Sequence, residues 1–188
     1  SSTGSALMAG ASKVDSTQPI GAPLAGYNHG ARRVPKWPIP HFGKYTTFMM
    51  PSTGVKAPLY TKCLSLLDTD TASTLILVTI DSIGSDNTLL RMAYDRVVNA
   101  TRKKGIDFSV PFNNVIMAAS HTHSGPGAIS PNLLWSLAPA TDLLVPSLQD
   151  QMTNHVANCM LEAYETMEPV VVGVGSSELK GVTENRRV

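Results

Sequence analysis

The chain has 188 residues, of which 43% are hydrophobic and 15% charged, enough apolar material for one domain with a buried core. Its 15 basic and 14 acidic residues form no basic stripe for nucleic acid and no acidic tail. The longest apolar run, at residues 75–80, is far shorter than the ~20 residues that a transmembrane helix needs.

The first predicted strand covers residues 7–15. The next two strands, at residues 59–67 and 74–80, are predicted to form an antiparallel hairpin, because Asp-Thr-Asp-Thr at residues 68–71 has turn chemistry. The strand at 74–80 is apolar on both faces, which indicates a central, covered strand.

Residues 21–54 lie between the first two strands and are rich in proline, glycine and aromatic residues. Proline at this density excludes a regular element through most of the segment. The segment is too aromatic for a solvated linker. We therefore interpret it as a long ordered loop, an insertion that lies over the domain.

A helix is predicted over residues 87–104, because apolar residues recur at helical spacing and Gly105 follows as a stop signal. A strand at 115–119 and a second amphipathic helix at 148–167 follow, and Pro169 bars that helix from continuing. Residues 170–174 are predicted as a last strand. Alternating strands and helices predict an α/β fold, with a mixed β-sheet flanked by helices.

The strand at 115–119 runs directly into Ser-His-Thr-His-Ser-Gly-Pro-Gly. If the strand persists, His121 and His123 leave it on the same face, at the sheet edge where α/β proteins build their sites. Two imidazoles at this spacing can share a zinc ion, or one can bind zinc while the other faces substrate. In the loop that begins at Ser124 and Gly125, glycines allow close approach to a ligand, and free amides can face a developing oxyanion.

The strand and this motif together resemble the signature of the neutral/alkaline non-lysosomal ceramidase family, in its N-terminal catalytic domain. The similarity follows the order and spacing of nearly the whole chain, 1–188, and is weakest at residues 28–53. The segments that carry it are residues 10–15, 19–27, 58–64, 78–84, 120–127, 168–175 and 185–187.

The resemblance implies an amidohydrolase of the neutral ceramidase type, cleaving the N-acyl bond of ceramide or another N-acylated lipid. Its zinc polarises the carbonyl and activates water. It implies that His121 binds zinc, that His123 contacts substrate, and that Arg186 reaches into the same pocket. Spacing alone would let both histidines bind zinc, whereas the resemblance assigns only the first.

Asp81 directly follows the strand at 74–80. It lies beside the strand that leads to His121 if the sheet order follows the family. Its carboxylate could accept the second ring N–H of a ligating histidine and fix the tautomer. The alternative is that Asp81 serves as a turn residue or helix cap. For Arg186 and Arg187, the alternative is a solvated basic pair.

A catalytic zinc needs three protein ligands and an open position, and this chain supplies one. The resemblance implies that a second histidine, a glutamate and a tyrosine come from later sequence. We therefore expect the C-terminal remainder of the same precursor as a tightly bound second chain. The dibasic pair at 186–187 is compatible with proteolytic processing. The alternative is a self-cleaving precursor whose second chain begins with a new nucleophile.

Three functions remain open: the zinc amide hydrolase, the same scaffold used for other acyl-transfer or cyclisation chemistry, and a non-catalytic binding protein. Asn99 begins a glycosylation sequon, which makes a secreted or extracytoplasmic location a hypothesis. The first residues do not read as a signal peptide, which decides nothing, because a processed secreted protein would look the same. Cys63 and Cys159 are too few for a disulfide framework. Buried free thiols or a single disulfide are the two options.

Overall fold

The computed structural model describes residues 6–26, 44–47, 49–132 and 141–182. The strands form one five-stranded sheet in the order β4-β3-β2-β1-β5, in which β3 and β4 run parallel and the other pairs antiparallel. The predicted mixed α/β fold is confirmed. In chain order the elements are β1 (Leu7–Asp15), β2 (Tyr60–Asp68), β3 (Ser73–Ile80), α1 (Asn87–Lys104), a 3-10 turn (Phe112–Asn114), β4 (Val115–Ala119), α2 (Pro146–Glu165) and β5 (Glu168–Pro169).

The predicted antiparallel hairpin is confirmed, with β2 and β3 paired from Asp68 and Ser73 through to Thr61 and Ile80. Its turn depends on Asp68, which accepts hydrogen bonds from the Thr71 hydroxyl at 2.7 Å and the Asp70 amide at 3.0 Å. These bonds, that of Thr71 first, lower the pKa of the Asp68 carboxyl. The turn chemistry visible in the sequence therefore sets the register of the hairpin.

Helix α1 has the predicted bounds because both of its ends carry local signals. The Asp86 carboxylate accepts the first free amides of the helix, and Gly105 ends it at φ +68°, in the left-handed region. Helix α2 begins at Pro146, two residues before the predicted start, and ends at Glu165, two residues before the predicted end. Neither helix combines the length and apolarity needed to cross a membrane.

Both helices share one hydrophobic core with a single face of the sheet. Cys63 of β2 and alternate residues of β3 lie in the same buried cluster as the apolar stripes of α1 and α2. Helix α2 lies so close to β1 that a Cβ on Gly10 would stand 2.1 Å from the Ala163 carbonyl oxygen. Cys63 and Cys159 are free thiols in this core. Their mutual hydrogen bond, followed by burial, raises the pKa of Cys63.

The strand predicted at residues 170–174 is wrong. Strand β5 contains only Glu168–Pro169, and described residues 171–182 adopt no strand. The Val170 amide still donates to the Leu7 carbonyl oxygen at 3.0 Å, but β1 begins at Leu7. The chain therefore runs past the end of its partner strand, and Val171 and Val174 are 93% and 96% exposed.

The prediction that the strand at 74–80 is central is confirmed, because β3 lies inside the sheet between β4 and β2. The prediction that both of its faces are covered is wrong for the described residues. Ile76, Val78 and Ile80 face the helices and are buried, whereas Leu75 and Leu77 on the opposite face are only half-buried. Strand β3 therefore has apolar residues on both faces, although the described residues cover only one of those faces.

Candidate active site

The motif at residues 120–127 leaves the sheet where two parallel strands end together. Strands β3 and β4 end at Ile80 and Ala119, which are register partners. The Ser120 amide donates to the Ile80 carbonyl oxygen at 3.0 Å, so the pairing continues to the first residue of the motif. This is the carboxyl edge of the parallel pair, as predicted, and it leaves His121 and His123 exposed to solvent.

The backbone turns sharply at His121, whose φ of +61° is uncommon for a residue with a side chain. Strand β4 ends at Ala119, so the condition that the strand persists through the motif is not met. The turn nevertheless brings the two imidazoles together. The ring centroids of His121 and His123 are 5.1 Å apart, with the planes at 87°.

The His121 ring is oriented by a backbone carbonyl. Its Nδ1 lies 2.6 Å from the Ile83 carbonyl oxygen. Because a carbonyl oxygen can only accept, Nδ1 is the donor, and in the neutral imidazole the lone pair is then on Nε2. A histidine that ligates zinc commonly has this arrangement, with one nitrogen tied to an acceptor and the other available to the metal.

Asp81 does not fill that orienting role in the structure. Its carboxylate accepts the Tyr60 amide at 2.9 Å, and its own amide donates to the Tyr60 carbonyl oxygen at 3.0 Å. Asp81 thus closes the end of the β2–β3 pair, which corresponds to the turn-residue alternative. The residue that sequence reasoning missed is Ile83, and a main-chain carbonyl leaves no signal in side-chain identity.

The His123 ring packs against the backbone of Gly26. Gly26 has a φ of +75°, and a Cβ at this position would lie 2.2 Å from Nδ1 of His123. Glycine is therefore required here for two reasons, the backbone conformation and the lack of space for a side chain. The sequence analysis did not single out Gly26. Within one sequence, only its place beside a proline-rich turn could have marked it.

The loop at residues 21–26 is joined to the motif by strand-like hydrogen bonds. The Ala25 amide donates to the Gly125 carbonyl oxygen at 3.1 Å, and the Gly127 amide donates to the Pro23 carbonyl oxygen at 2.7 Å. The described ends of the 21–54 segment therefore lie against the candidate site. Residues 27–43 and 48 of that segment fall outside the described part of the chain.

The glycines of the motif permit close packing. A Cβ on Gly125 would lie 2.9 Å from the Asp81 carbonyl oxygen and 2.9 Å from Cγ2 of Thr122. The Ser124 amide donates to the Thr122 hydroxyl at 3.2 Å, within the loop itself. The oxyanion role of Ser124 and Gly125 therefore remains a prediction.

A cavity of about 540 Å³ adjoins the motif. Thr122 and Ser124, which flank His123 in the chain, line it, and the segments before β2 form the other walls. The wall surface is mostly apolar and comes from Ala22, Pro23, Leu24, Val55 and Leu59, together with Pro126 of the motif, while Gln18 and Lys56 are among the polar lining residues. The site thus has an imidazole pair at the sheet edge and a largely apolar cavity beside the same loop.

Within the described ranges, no three His, Cys, Asp or Glu side chains come together as a metal site. An imidazole nitrogen suits zinc, and the orientation of His121 fits such a ligand. The described residues do not bring a complete set of zinc ligands together around it. Arg186 lies outside the described residues. Asn99 is exposed on α1, whereas the hydroxyl of Thr101 in the same sequon is buried and donates to the Val97 carbonyl oxygen.

A family model described as neutral/alkaline non-lysosomal ceramidase, N-terminal, matches residues 40–188. The similarities at residues 10–15 and 19–27 lie outside that match. No curated protein matches the sequence significantly.

Two solved structures share the fold. A ceramidase complexed with C2 is 17% identical with a TM-score of 0.60, and neutral ceramidase from Pseudomonas aeruginosa is 16% identical with a TM-score of 0.60. Each alignment covers 87% of this chain and 22% of the other. The chain thus spans about a fifth of the length of the structures it matches.

Proposed function

This chain belongs to the neutral/alkaline non-lysosomal ceramidase family, and from that premise we propose that it supplies one side of the active site of a zinc-dependent amidase. The proposed reaction is hydrolysis of the N-acyl bond of ceramide or of another N-acylated lipid. The proposed location is secreted or extracytoplasmic.

The observation that carries the proposal is the orientation of His121 at the carboxyl edge of the sheet. The bond from Nδ1 to the Ile83 carbonyl oxygen fixes the tautomer and keeps the Nε2 lone pair for a metal. Zinc bound there would polarise the substrate carbonyl and activate water. The role of His121 itself is to hold the metal at the end of β4.

His123 is proposed to contact the substrate. Its ring stands at a right angle to that of His121, 5.1 Å away, and the backbone of Gly26 limits its movement. An imidazole held this close to a metal ligand can hydrogen-bond the reacting amide and orient it. Arg186 is proposed to reach the same pocket.

The cavity beside the motif supports a lipid-like substrate. Its volume of about 540 Å³ lies within the usual range for small-molecule sites, and its walls are mostly apolar. An acyl chain would lose water-exposed apolar surface there, which favours binding by ~0.8 kcal/mol for each buried methylene. The polar groups of the amide would then lie toward residues 122–124.

The remaining zinc ligands are proposed to come from the C-terminal remainder of the protein, either as a continuous chain or as a second chain after cleavage. A catalytic zinc needs three protein ligands, and His121 is the one that this chain provides. The chain spans 22% of the length of the matched structures, which leaves ample sequence for the others.

The test uses the full-length protein that contains this sequence, assayed on ceramide and on a short N-acyl amide. His121→Ala is expected to abolish hydrolysis, because the metal loses a ligand. His123→Ala is expected to retain zinc while kcat/KM falls by at least ~100-fold. His155→Gln on α2 is the matched control and should retain zinc and hydrolyse both substrates at the rate of the parent protein.

Two outcomes would contradict this proposal. Full hydrolysis by His121→Ala would refute the proposed zinc amidase and favour a reaction that uses a nucleophile elsewhere in the protein. A parent protein that binds ceramide tightly but never cleaves it would favour a binding protein.

A further inference from the structure

Two cysteine thiols that the proposed reaction does not use meet inside the core. Cys63 lies on the face of β2 that packs against the helices, and Cys159 lies on the face of α2 that packs against the sheet. The two residues are 4% and 0% exposed, and their side chains hydrogen-bond to each other. The 188 residues contain no other cysteine, so within this sequence each is the only partner for the other.

Two backbone carbonyls locate the Cys159 sulfur above the pair formed by β1 and β2. Its Sγ lies 3.4 Å from the Thr61 carbonyl oxygen and 3.6 Å from the Ser12 carbonyl oxygen. Ser12 is the register partner of Cys63, and Thr61 precedes Cys63 by two residues, on the same face of β2. The Cys159 sulfur therefore lies at the level of the Cys63 side chain on the sheet.

Helix α2 is held in this register by contacts in the turn that follows Cys159. The Ser12 hydroxyl donates to the Glu162 carboxylate at 2.6 Å, and Gly10 leaves the space that the Ala163 carbonyl oxygen occupies. The two sulfurs therefore face each other from fixed positions. A fixed position of this kind limits the distortion that commonly reduces the stabilising effect of a disulfide.

We propose that Cys63 and Cys159 are a covalent cross-linking site, joined by a disulfide when the protein folds in the presence of a disulfide oxidant such as oxidised glutathione. One protein thiolate attacks a sulfur of the oxidant and expels one thiolate. The other protein thiolate then attacks the protein sulfur of this mixed disulfide and expels the second. The two protein thiols lose two electrons and two protons, and the oxidant becomes two thiols.

Burial determines when this exchange takes place. Both sulfurs are shielded once α2 is packed, so an external oxidant reaches them before the packing is complete or when α2 opens locally. Afterwards the same shielding protects the bond from external thiols. The oxidising conditions agree with the extracytoplasmic location proposed above, whereas the cross-link itself does not depend on zinc or on the substrate.

The bond ties a long segment of the chain at both ends. Residues 64–158 lie between the two cysteines, and they contain α1, β4 and the motif at 120–127. Closing a loop of this length restricts the unfolded chain far more than the folded one, which stabilises the fold. The bond also keeps α2 on β2, so α2 cannot leave the sheet while the bond is intact.

The first test maps the bond in the full-length protein, refolded either with oxidised and reduced glutathione or with excess dithiothreitol. Remaining thiols are alkylated in denaturant, and the protein is digested without reduction for mass spectrometry. After glutathione, the peptides that contain Cys63 and Cys159 should be joined to each other. After dithiothreitol, both should be alkylated. Alkylation of both after glutathione, or a bond from either to glutathione or to a cysteine beyond residue 188, would overturn the proposal.

The second test measures urea unfolding of the same two preparations. The midpoint of the oxidised protein should exceed that of the reduced protein by at least ~1 M. Cys63→Ala and Cys159→Ala should each remove this difference, while any contribution of cysteines beyond residue 188 would persist in them. Equal midpoints for the two preparations of the parent protein would contradict the stabilising role, and this comparison needs no substitution. Neither test reads zinc or hydrolysis, so this inference and the proposed function can fail separately.

Discussion

Gly26 shows how a residue without chemistry can control one that has it. Its backbone occupies the space beside His123, and no other amino acid fits there, because a Cβ would lie 2.2 Å from Nδ1. The residues that the sequence did identify, His121 and His123, carry recognisable side chains. Gly26 and Ile83 act through main-chain atoms, so only the folded structure reveals them.

Gly26→Ala is expected to displace the His123 ring and lower kcat/KM by ~10- to 100-fold while zinc content stays unchanged. Gly105→Ala is the matched control, because Gly105 also has a positive φ but has open space around its Cβ position. The Gly105→Ala variant should lose ~1 kcal/mol of stability and keep the activity of the parent protein. Kinetics and urea unfolding of both variants measure the difference. Equal activity in the two variants would show that Gly26 does not position His123.

His155 is expected to make stability depend on pH. Burial lowers its pKa below the usual 6.5, with the nearby Asp15 carboxylate opposing the shift, and its buried Nδ1 has no described partner. The unfolded histidine therefore takes a proton at a higher pH than the folded one. The resulting stability is fully present above pH 6.5 and is lost as pH falls through the lower folded value.

Urea unfolding measures this effect when the parent protein and His155→Gln are compared at several pH values between 7.5 and 5. This range brackets the usual histidine pKa of 6.5, below which the effect should appear. The parent should lose more stability on acidification than the variant. Parallel pH curves for the two proteins would assign the loss to other groups.

At the scale of single elements, the sequence predicts best where the signal is local. Helix α1 was predicted with its observed bounds from its apolar spacing and from Gly105, and the structure adds Asp86 as the cap of its first turn. The start of α2 was predicted late because it lacks a side-chain cap, and Pro146 in its first turn was the available signal. Residues 170–174 have a strand composition, but a strand also needs a partner, and the described pairing with β1 stops at the bond from the Val170 amide to the Leu7 carbonyl oxygen.

Asp86→Ala should lower the free energy of unfolding by ~1–2 kcal/mol, because the Thr88 and Leu89 amides lose their acceptor. The Ser130 hydroxyl, which also donates to this carboxylate, loses a partner as well. Asp86→Asn keeps an acceptor at the cap and should lose less. Chemical denaturation compares the three proteins. A smaller loss for Ala than for Asn would contradict the cap.

At the scale of the molecule, the fold class followed from the alternation of strands and helices, but the arrangement of the sheet did not. The pattern of β3, apolar on both faces, predicted cover on both sides. In the described structure, the helices cover one side only, and Leu75 and Leu77 on the other side are half-buried. Periodicity reports that a face is apolar; it does not report which part of a protein buries it.

The candidate site was likewise only partly predictable from the sequence. The motif predicted the sheet edge, the two adjacent imidazoles and one suitable metal ligand. The rest of a zinc site is not among the described residues, and the chain spans 22% of the length of its structural relatives. The central claim is therefore that His121 is one ligand of a zinc ion shared with the remainder of the protein.

Zinc content of the purified full-length protein tests that claim most directly, measured by elemental mass spectrometry after exhaustive dialysis. The account predicts about one zinc ion per protein, its loss in His121→Ala, and its retention in His123→Ala and His155→Gln. One zinc ion retained by His121→Ala with unchanged affinity would contradict it.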